Sequence, residues 1–170
     1  APLYRRALAI SEQALGPEHP QTAGSLNNLA GLLESTGDYA GAEPLYRRAL
    51  AIDEKAYGPD HPEVADVLNS LGVAQQRAGR LDESVATLTR ALAIRERTLE
   101  PDHHELAKLI GNLAINYREL GDRATALIYH RRTLALIERR LGPDHPDVIV
   151  ALINLGGGLL EQGLHDEAQE

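Results

Sequence analysis

The sequence predicts an all-α solenoid of antiparallel helix pairs, built from about four repeats of 42 residues. Two observations lead to this prediction. The 170-residue chain matches itself at a shift of 42 without any insertion. Within each repeat, apolar residues recur at the i, i+3, i+4 and i+7 spacing of an amphipathic helix, and no segment alternates as a strand would. A helical pattern at this period indicates helix pairs that bury their apolar faces against the neighbouring pairs.

The loop that separates the repeats is the most regular segment of the chain. Gly16–Pro20 returns as Gly58–Pro62, as Glu100–His104 and as Gly142–Pro146. Glycine at the first position can take the left-handed conformation that closes a helix, and the proline that follows prevents its continuation. The loop therefore predicts where the last helix of one repeat ends and the first helix of the next begins.

The first helix of a repeat, helix A, is predicted from the stripe formed by Leu26, Leu29, Ala30 and Leu33. It covers residues 20–36, with equivalents at 62–78, 104–120 and 146–162. Acidic residues precede it with the spacing of a capping box, as in Asp60 with Glu63. We expect the same arrangement in Glu18 with Gln21 and in Asp102 with Glu105.

The second helix, helix B, is predicted from the stripe through Ala42, Tyr46, Ala49 and Leu50. It covers residues 39–57, 81–99 and 123–141, and residues 1–15 form a helix B that lacks its helix A. Pro44 is compatible with helix B only if the helix begins near Tyr39, which would leave the proline nitrogen among the free first-turn amides. The chain thus forms a single solenoid, residues 1–170, divided into 1–19, 20–61, 62–103, 104–145 and a partial repeat 146–170.

The composition excludes several classes of function. The chain contains no Cys, Met, Trp or Phe, which rules out disulfides, cysteine-based zinc sites and thiol nucleophiles. Its formal charge of −8 disfavours a nucleic-acid partner, because the phosphates of nucleic acids are also negative. The same charge argues against the hypothesis that the helical repeats bind RNA. No membrane-spanning run or signal peptide is evident. We expect a cytoplasmic protein that contacts neither membrane nor nucleic acid and, because it lacks an initial Met, one cut from a larger protein.

Catalytic and metal-binding motifs are absent from the sequence. His19, His61, His103 and His145 recur one repeat apart, which separates them by roughly 10 Å or more, too far to share a zinc ion. No nucleophile elbow, phosphate-binding loop or dinucleotide fingerprint occurs. We therefore expect no enzyme activity, no metal and no cofactor. The arginine pairs at 5–6, 47–48 and 131–132 are interpreted as a solvated outer face.

The repeat resembles the tetratricopeptide repeat, in the lengthened form typical of kinesin light chains and many bacterial multidomain regulators. The resemblance rests on a pattern at fixed offsets that reads Leu26, Leu29-Ala30, Leu33, Gly37, Tyr39, Ala42, Tyr46 and Ala49, together with the Gly-Pro-Asp-His-Pro loop. It covers the whole chain. It departs at Gln75, Leu88, His130 and Thr133, which replace large, aromatic or small residues of the pattern. The resemblance implies a right-handed superhelix whose A helices line a concave groove.

In such proteins the groove holds an extended peptide or a partner helix, and the resemblance assigns side chains to it by register. The candidate partner-binding residues are Asn27, Asn69, Val73, Gln76, Lys108, Ile115, Arg118, Ile153 and Leu160. Gly24, Gly31, Glu34, Asp66, Gly111, Val150 and Gly157 share their registers. Asparagine amides can pair with a peptide backbone, because they offer both donors and an acceptor. The lysine and arginine favour an acidic ligand residue, and the apolar residues favour a hydrophobic anchor.

Two questions stay open at the level of sequence. The run Gly156-Gly157-Gly158 lies within a helix A and is either a close approach site for a ligand backbone or simply a weak helix. The function is predicted to be that of a protein-interaction scaffold. The alternative is a structural module that stacks end to end through its incomplete terminal repeats.

Overall fold

The computed structural model of the protein describes residues 2–164 and residue 168. Within that range the chain forms eight α-helices and no strand. The helices are α1 (Pro2–Leu15), α2 (Pro20–Ser35), α3 (Tyr39–Tyr57), α4 (Pro62–Arg77), α5 (Leu81–Thr98), α6 (His104–Glu119), α7 (Arg123–Leu141) and α8 (Pro146–Glu161). The predicted all-α class is therefore confirmed for the described residues, and the helix bounds agree with the predicted ones to within one residue.

The predicted capping residues of the A helices are wrong, because the loop histidines perform this role. His19 Nδ1 accepts a hydrogen bond from the backbone N–H of Gln21 at 3.1 Å, and His61 Nδ1 accepts one from Glu63 at 3.2 Å. The same bond is repeated at the starts of α6 and α8. The recurrence of histidine in the loops is thus a helix-capping feature, since a neutral imidazole nitrogen can accept a first-turn amide as Ser or Asp would.

Backbone geometry at two predicted helix ends is different from the expected form. Gly58 and Gly142 have positive φ angles of 92° and 87°, as only glycine readily adopts, but their ψ of 159° is extended rather than left-handed helical.

Helix α3 does begin at Tyr39, as predicted, but Pro44 lies beyond the free first-turn amides, because the backbone N–H of Ala42 already donates to the carbonyl of Asp38. Pro44 therefore removes an intrahelical hydrogen bond that a different residue would make.

Residues 1–94 form one compact unit, here called unit 1. In it α2 packs against α1, α3 and α4, and α3 packs against α4. The core is apolar and tightly closed around residues such as Leu26, Tyr46 and Leu68, each at most 3% exposed. A glycine allows the closest approach: a Cβ on Gly72 would lie 2.6 Å from Leu88 Cγ, so α5 packs against the bare backbone of α4.

Residues 95–170 form a second compact unit, unit 2. Within its described part, α7 packs against both α6 and α8. The core of this unit is built around Ile110 and Leu113, which are fully buried. The Gly156–Gly158 run is helical, and a Cβ on Gly158 would meet His130 and Leu127 at an ordinary 3.7 Å, whereas Gly156 and Gly157 face open space.

The outer arginines are not merely solvated, which corrects the sequence interpretation. In unit 1, Arg48 pairs with Glu12 at 2.6 Å and donates to the carbonyl of Pro17 at 3.2 Å. Arg90 repeats this arrangement with Glu54 and with the carbonyl of Pro59. In unit 2, the corresponding pair is Arg132 with Glu96. Each pair joins consecutive B helices at the same register, and we call this series the arginine ladder.

Candidate functional site

The predicted groove residues of unit 1 lie on the A helices α2 and α4. Asn27 is on α2, and Asn69, Val73 and Gln76 are on α4. All four are half-buried. Because Asn69, Val73 and Gln76 are spaced by three or four residues, they share one face of their helix, as the register predicts.

Asn27 and Asn69 have an unusual feature in common. The Oδ1 atom of each side chain is covered by its surroundings, yet it accepts no hydrogen bond from any described residue. A covered carbonyl oxygen without a donor typically costs about 1–3 kcal/mol. Rotation about χ2 exchanges Oδ1 and Nδ2, so each amide can present either an acceptor or a donor. The same unsatisfied amide therefore occurs at the same register of two successive repeats.

A polar network closes the far end of this surface in unit 1. The hydroxyl of Tyr46 donates to Glu34 Oε2 at 2.9 Å, and Arg77 pairs with Glu34 Oε1 at 3.0 Å. Burial and the hydrogen bond to Glu34 raise the pKa of Tyr46. Sequence reasoning placed Glu34 in the groove register but missed both partners. Glu34 is thus paired within the fold, and the arginine of the pair, Arg77, has a side chain that is 52% exposed.

Four of the five corresponding residues of unit 2 are exposed, and only Ile115 among them is half-buried. Lys108, Ile115 and Arg118 lie on α6, and Ile153 and Leu160 lie on α8. Ile153 is 66% and Leu160 is 54% exposed, which is unusual for isoleucine and leucine. Helix α6 thus carries both cations and one isoleucine of the predicted set, whereas α8 carries only apolar residues of it.

A pocket of about 380 Å³ lies between α6, α7 and α8 in unit 2. Its apolar lining includes Leu136, Ile137, Val150 and Ala151, and its charged lining residues are Asp102, His104, Lys108, Arg140 and Asp147. The register of Ala151 holds Val67 in α4, so the side chain at this lining position is smaller than its counterpart in unit 1. Sequence reasoning missed the pocket, although this exchange of valine for alanine is visible in the repeat.

The electrostatics at the mouth of this pocket are positive near α6. Partial desolvation lowers the pKa of His104, and the charges of His103, Lys108 and Arg140 lower it further, while only Glu105 acts in the opposite direction. Lys108 has no ion-pair partner among the residues that the structure describes. The pocket is therefore apolar inside, with an unpaired lysine at its rim.

Neither metal-binding nor membrane-spanning features occur in the described part of the chain. No group of three or more His, Asp or Glu side chains in residues 2–164 is arranged to hold a metal ion. His103 and His104 are close, with ring centroids 4.6 Å apart, but they stack on each other. None of the described helices has the length and apolar character needed to cross a membrane.

Comparison with known proteins identifies the repeat. A family model described as tetratricopeptide repeat matches residues 2–55, 22–97, 69–139 and 105–170, which together span almost the entire chain. The chain belongs to the tetratricopeptide repeat family. Repeats of this family generally mediate protein–protein interaction. The predicted fold class, a tetratricopeptide solenoid of helix pairs, is thereby confirmed.

Solved structures of similar arrays agree with this assignment. The tetratricopeptide array superposes with a TM-score of 0.86 on a Podosopora anserina protein described as a kinesin light chain with nearly identical repeats. The two are 26% identical, and the match covers 98% of this chain and 79% of that one. BtubC (BKLC) from P. vanneervenii matches with a TM-score of 0.87 and 26% identity, over 98% of this chain and 66% of that one. No curated protein sequence matches significantly.

Proposed function

We propose that this array binds an extended peptide of a partner protein along the exposed faces of its A helices. The observation that carries the proposal is the pair of unsatisfied amides at Asn27 and Asn69. An extended peptide has an unpaired N–H and C=O at every residue, so one strand of peptide can hydrogen-bond to the accessible end of both half-buried amides. The spacing of the two asparagines by one repeat suits such a ligand better than a compact small molecule.

The chemistry of the ligand follows from the other exposed residues. In unit 2, the pocket beside Ala151 suits an apolar side chain of a bound peptide, since its lining includes the aliphatic side chains of Leu136, Ile137 and Val150. Lys108 at the rim favours an acidic residue next to that anchor, because the lysine is exposed and has no ion-pair partner among the described residues. The ligand is thus expected to be an extended segment that carries one apolar anchor and an adjacent Asp or Glu.

The proposal is tested by selecting peptides that bind the array from a random library and measuring their affinity by calorimetry. A variant with Asn69→Ala, Ile115→Glu and Arg118→Glu removes one amide, one apolar contact and one cation. We expect it to weaken selected peptides by at least about tenfold, the equivalent of 1.4 kcal/mol. A control with Arg5→Ala and Arg139→Ala changes exposed residues of the B helices and should bind as the wild type does.

Two outcomes would contradict the proposal. Selected peptides that bind the triple variant and the wild type equally would show that the A-helix faces are not used. A library that yields no peptide with apolar and acidic residues would contradict the ligand chemistry. Circular dichroism on each variant separates lost binding from lost helical structure.

A further inference from the structure

The loop histidines cap the A helices through an atom that can gain a proton. In each cap Nδ1 accepts the hydrogen bond, so the imidazole is neutral and its proton lies on Nε2. The backbone at each histidine is extended, with ψ between 136° and 146°, as is typical of the residue before a helix. The accepting residues are His19, His61, His103 and His145, and the donors are the backbone N–H groups of Gln21, Glu63, Glu105 and Asp147, at 3.1, 3.2, 3.3 and 3.2 Å respectively. The helices α2, α4, α6 and α8 therefore each begin at a titratable side chain.

Protonation removes this cap and reverses its electrostatics. An imidazolium has an N–H group at both ring nitrogens and no acceptor, so its Nδ1–H would point at the backbone N–H that the neutral ring caps. It also places a positive charge at a helix N-terminus, where the helix dipole favours negative charge. The usual capping residues keep their acceptor between pH 8 and pH 5, whereas histidine titrates within this range. The cap therefore belongs to the neutral form of histidine alone.

In unit 1, a second group titrates beside one of the caps. His61 stacks on Tyr57 of α3, with ring centroids 4.7 Å apart, and interacts electrostatically with Asp53 of the same helix, whose pKa is raised to about 6. The charged and titratable residues around the two caps of unit 1 are Glu12, Glu18, Arg48, Asp53, Lys55, Tyr57, Asp60 and Glu63. Because Asp53 changes charge in the same pH range, the caps of unit 2 give the simpler response.

In unit 2, the caps are surrounded by charges of both signs. His145 Nδ1 lies 3.7 Å from Asp147 Oδ2, and His103 stacks on His104 with ring centroids 4.6 Å apart. The charged and titratable residues around the two caps are Arg95, Asp102, His104, Glu105, Lys108, Arg140, Asp144 and Asp147. Among these side chains, His104 is the one of a type that ordinarily titrates between pH 8 and pH 5, so it needs a control of its own.

The caps of unit 2 adjoin the pocket between α6, α7 and α8. Its lining includes Ala107 and Lys108 from α6, and Asp147 and Val150 from α8. All four lie within the first five residues of their helices. Asp147 is also the residue whose N–H is bonded by His145. Loss of a cap at either helix is therefore expected to displace part of the pocket wall.

We propose that the loop histidines form a pH-sensitive element of the array. Above the range in which histidine titrates they hold the first turns of the A helices, and below it they release them, which in unit 2 changes the wall of the pocket. Since the cap stabilises the neutral imidazole, its contribution is complete at the upper end of the range and is lost as pH falls through it. The inference goes beyond the proposed function and depends on no bound peptide.

NMR spectroscopy of the whole chain, labelled with ¹⁵N and ¹³C, tests the caps directly. At pH 8 the ring nitrogens of the four loop histidines should show the Nε2–H form. Between pH 8 and pH 5, the protection factors of the first-turn amides of α6 and α8, relative to the centre of the same helix, should fall by about fivefold, as expected for one lost cap. The methyl signals of Ala107 and Val150 should shift over the same range.

A double variant with His103→Asn and His145→Asn isolates the effect. Asparagine caps helices well and does not titrate in this range, so the variant should fold and keep the first turns of α6 and α8 protected at pH 5. In the same molecule α2 retains His19 and should still lose protection, which provides an internal control. His104→Asn replaces the neighbouring imidazole, which caps no helix in the described structure, and should leave the acid response of α6 unchanged.

Three results would overturn the inference. Loop histidines in the Nδ1–H form at pH 8 would exclude the caps. First-turn amides of α6 and α8 that respond to acid equally in the wild type and in the double variant would assign the response to other groups, and so would loss of the α6 response in His104→Asn. Methyl signals of Ala107 and Val150 that stay constant while the amides respond would exclude the link to the pocket.

Discussion

The same three registers hold opposite chemistry in the two units. In unit 1, Tyr46 donates to Glu34, which pairs with Arg77. Two repeats later, these positions are occupied by His130, Arg118 and Glu161. The cation Arg118 therefore lies where unit 1 has the hydrogen-bond acceptor Glu34, and the imidazole of His130 lies where unit 1 has the buried hydroxyl of Tyr46.

The consequences for the buried side chain are opposite as well. Tyr46 is 2% exposed and fully satisfied by a charged acceptor. His130 is 3% exposed, and its Nε2 has no hydrogen-bond partner in the described part of the chain. Burial lowers the pKa of His130, and the charge of Arg118 lowers it further, whereas Glu161 raises it. The comparison teaches that the repeat specifies the apolar packing, while the polar side chains around it can carry charges of opposite sign in different repeats.

The largest expected effect concerns another register at which the two units differ. Unit 1 has Asp53 at this position, and unit 2 has Ile137 two repeats later. Burial, and to a lesser extent the charge of Glu63, raise the pKa of Asp53 from 3.8 to about 6. A rise of that size corresponds to about 3 kcal/mol of penalty on the ionised form. We expect Asp53→Asn to stabilise unit 1 by up to about 3 kcal/mol at neutral pH, as measured by urea denaturation.

The pH dependence of this effect is the control. The folded pKa is raised, so the penalty is complete above about pH 6 and is relieved as pH falls towards the unfolded value of 3.8. The gain from Asp53→Asn should therefore shrink as pH falls through this range. A gain that is equal at pH 7 and near pH 4 would show that ionisation of Asp53 is not its cause.

The next effect concerns the hydrogen bond that unit 1 has and unit 2 lacks. Tyr46→Phe removes a donor to a charged acceptor and is expected to destabilise unit 1 by about 1.5–3 kcal/mol. Native-state hydrogen exchange should locate the loss in α2 and α3 and leave α6 and α7 unchanged. Tyr39→Phe, which alters a half-buried tyrosine with no such bond in the described structure, serves as the control.

Glycine substitutions at one register should have opposite signs in the two units. Gly72→Ala places a Cβ 2.6 Å from Leu88 Cγ and is expected to destabilise the protein by about 1–2 kcal/mol. Gly156→Ala meets nothing within 4 Å and should stabilise α8 by about 0.5–1 kcal/mol through helix propensity. Thermal denaturation at low protein concentration measures both. Equal signs would contradict the difference in packing.

The imidazole of unit 2 predicts a pH dependence opposite in sign to that of Asp53 in unit 1. Because burial lowers the folded pKa of His130, its contribution to stability is complete above the ordinary histidine pKa of 6.5 and is lost as pH falls below it. The protection factors of the amides in α6 and α7, which correct for the intrinsic pH dependence of exchange, should therefore fall on acidification. His130→Leu, which copies Leu88 at this register, should reduce that fall. An unchanged pH profile in the leucine variant would assign it to other groups.

The smallest effect concerns the helix caps, which both units share. His19→Ala removes the acceptor for the N–H of Gln21 and is expected to cost about 0.5–1 kcal/mol. His19→Asn offers an alternative acceptor and should recover most of this loss. Urea denaturation measures both variants, and a loss that asparagine does not recover would contradict the capping role.

Sequence reasoning predicted the helices and their bounds well, but it predicted few of the side-chain partners. The bounds of α3 were predicted correctly, because the residues that cap it, Asp38 and Gly58, act on neighbouring residues. The role of the loop histidines was missed even though it is equally local, since histidine is not among the common capping residues. The unsatisfied amides of Asn27 and Asn69 could not be predicted, because satisfaction depends on which atoms surround a side chain.

By itself, the sequence determined the helix pairs, their period and the residues that face the core, because amphipathic spacing and helix ends depend on residues a few positions apart. Tertiary structure decided which polar groups meet across 12 or 36 residues, as in Tyr46 with Glu34 and Arg48 with Glu12. It also decided that Asp53 is buried and that a pocket forms beside Ala151. These outcomes depend on distances between packed helices, which are set by the volumes of all the side chains between them.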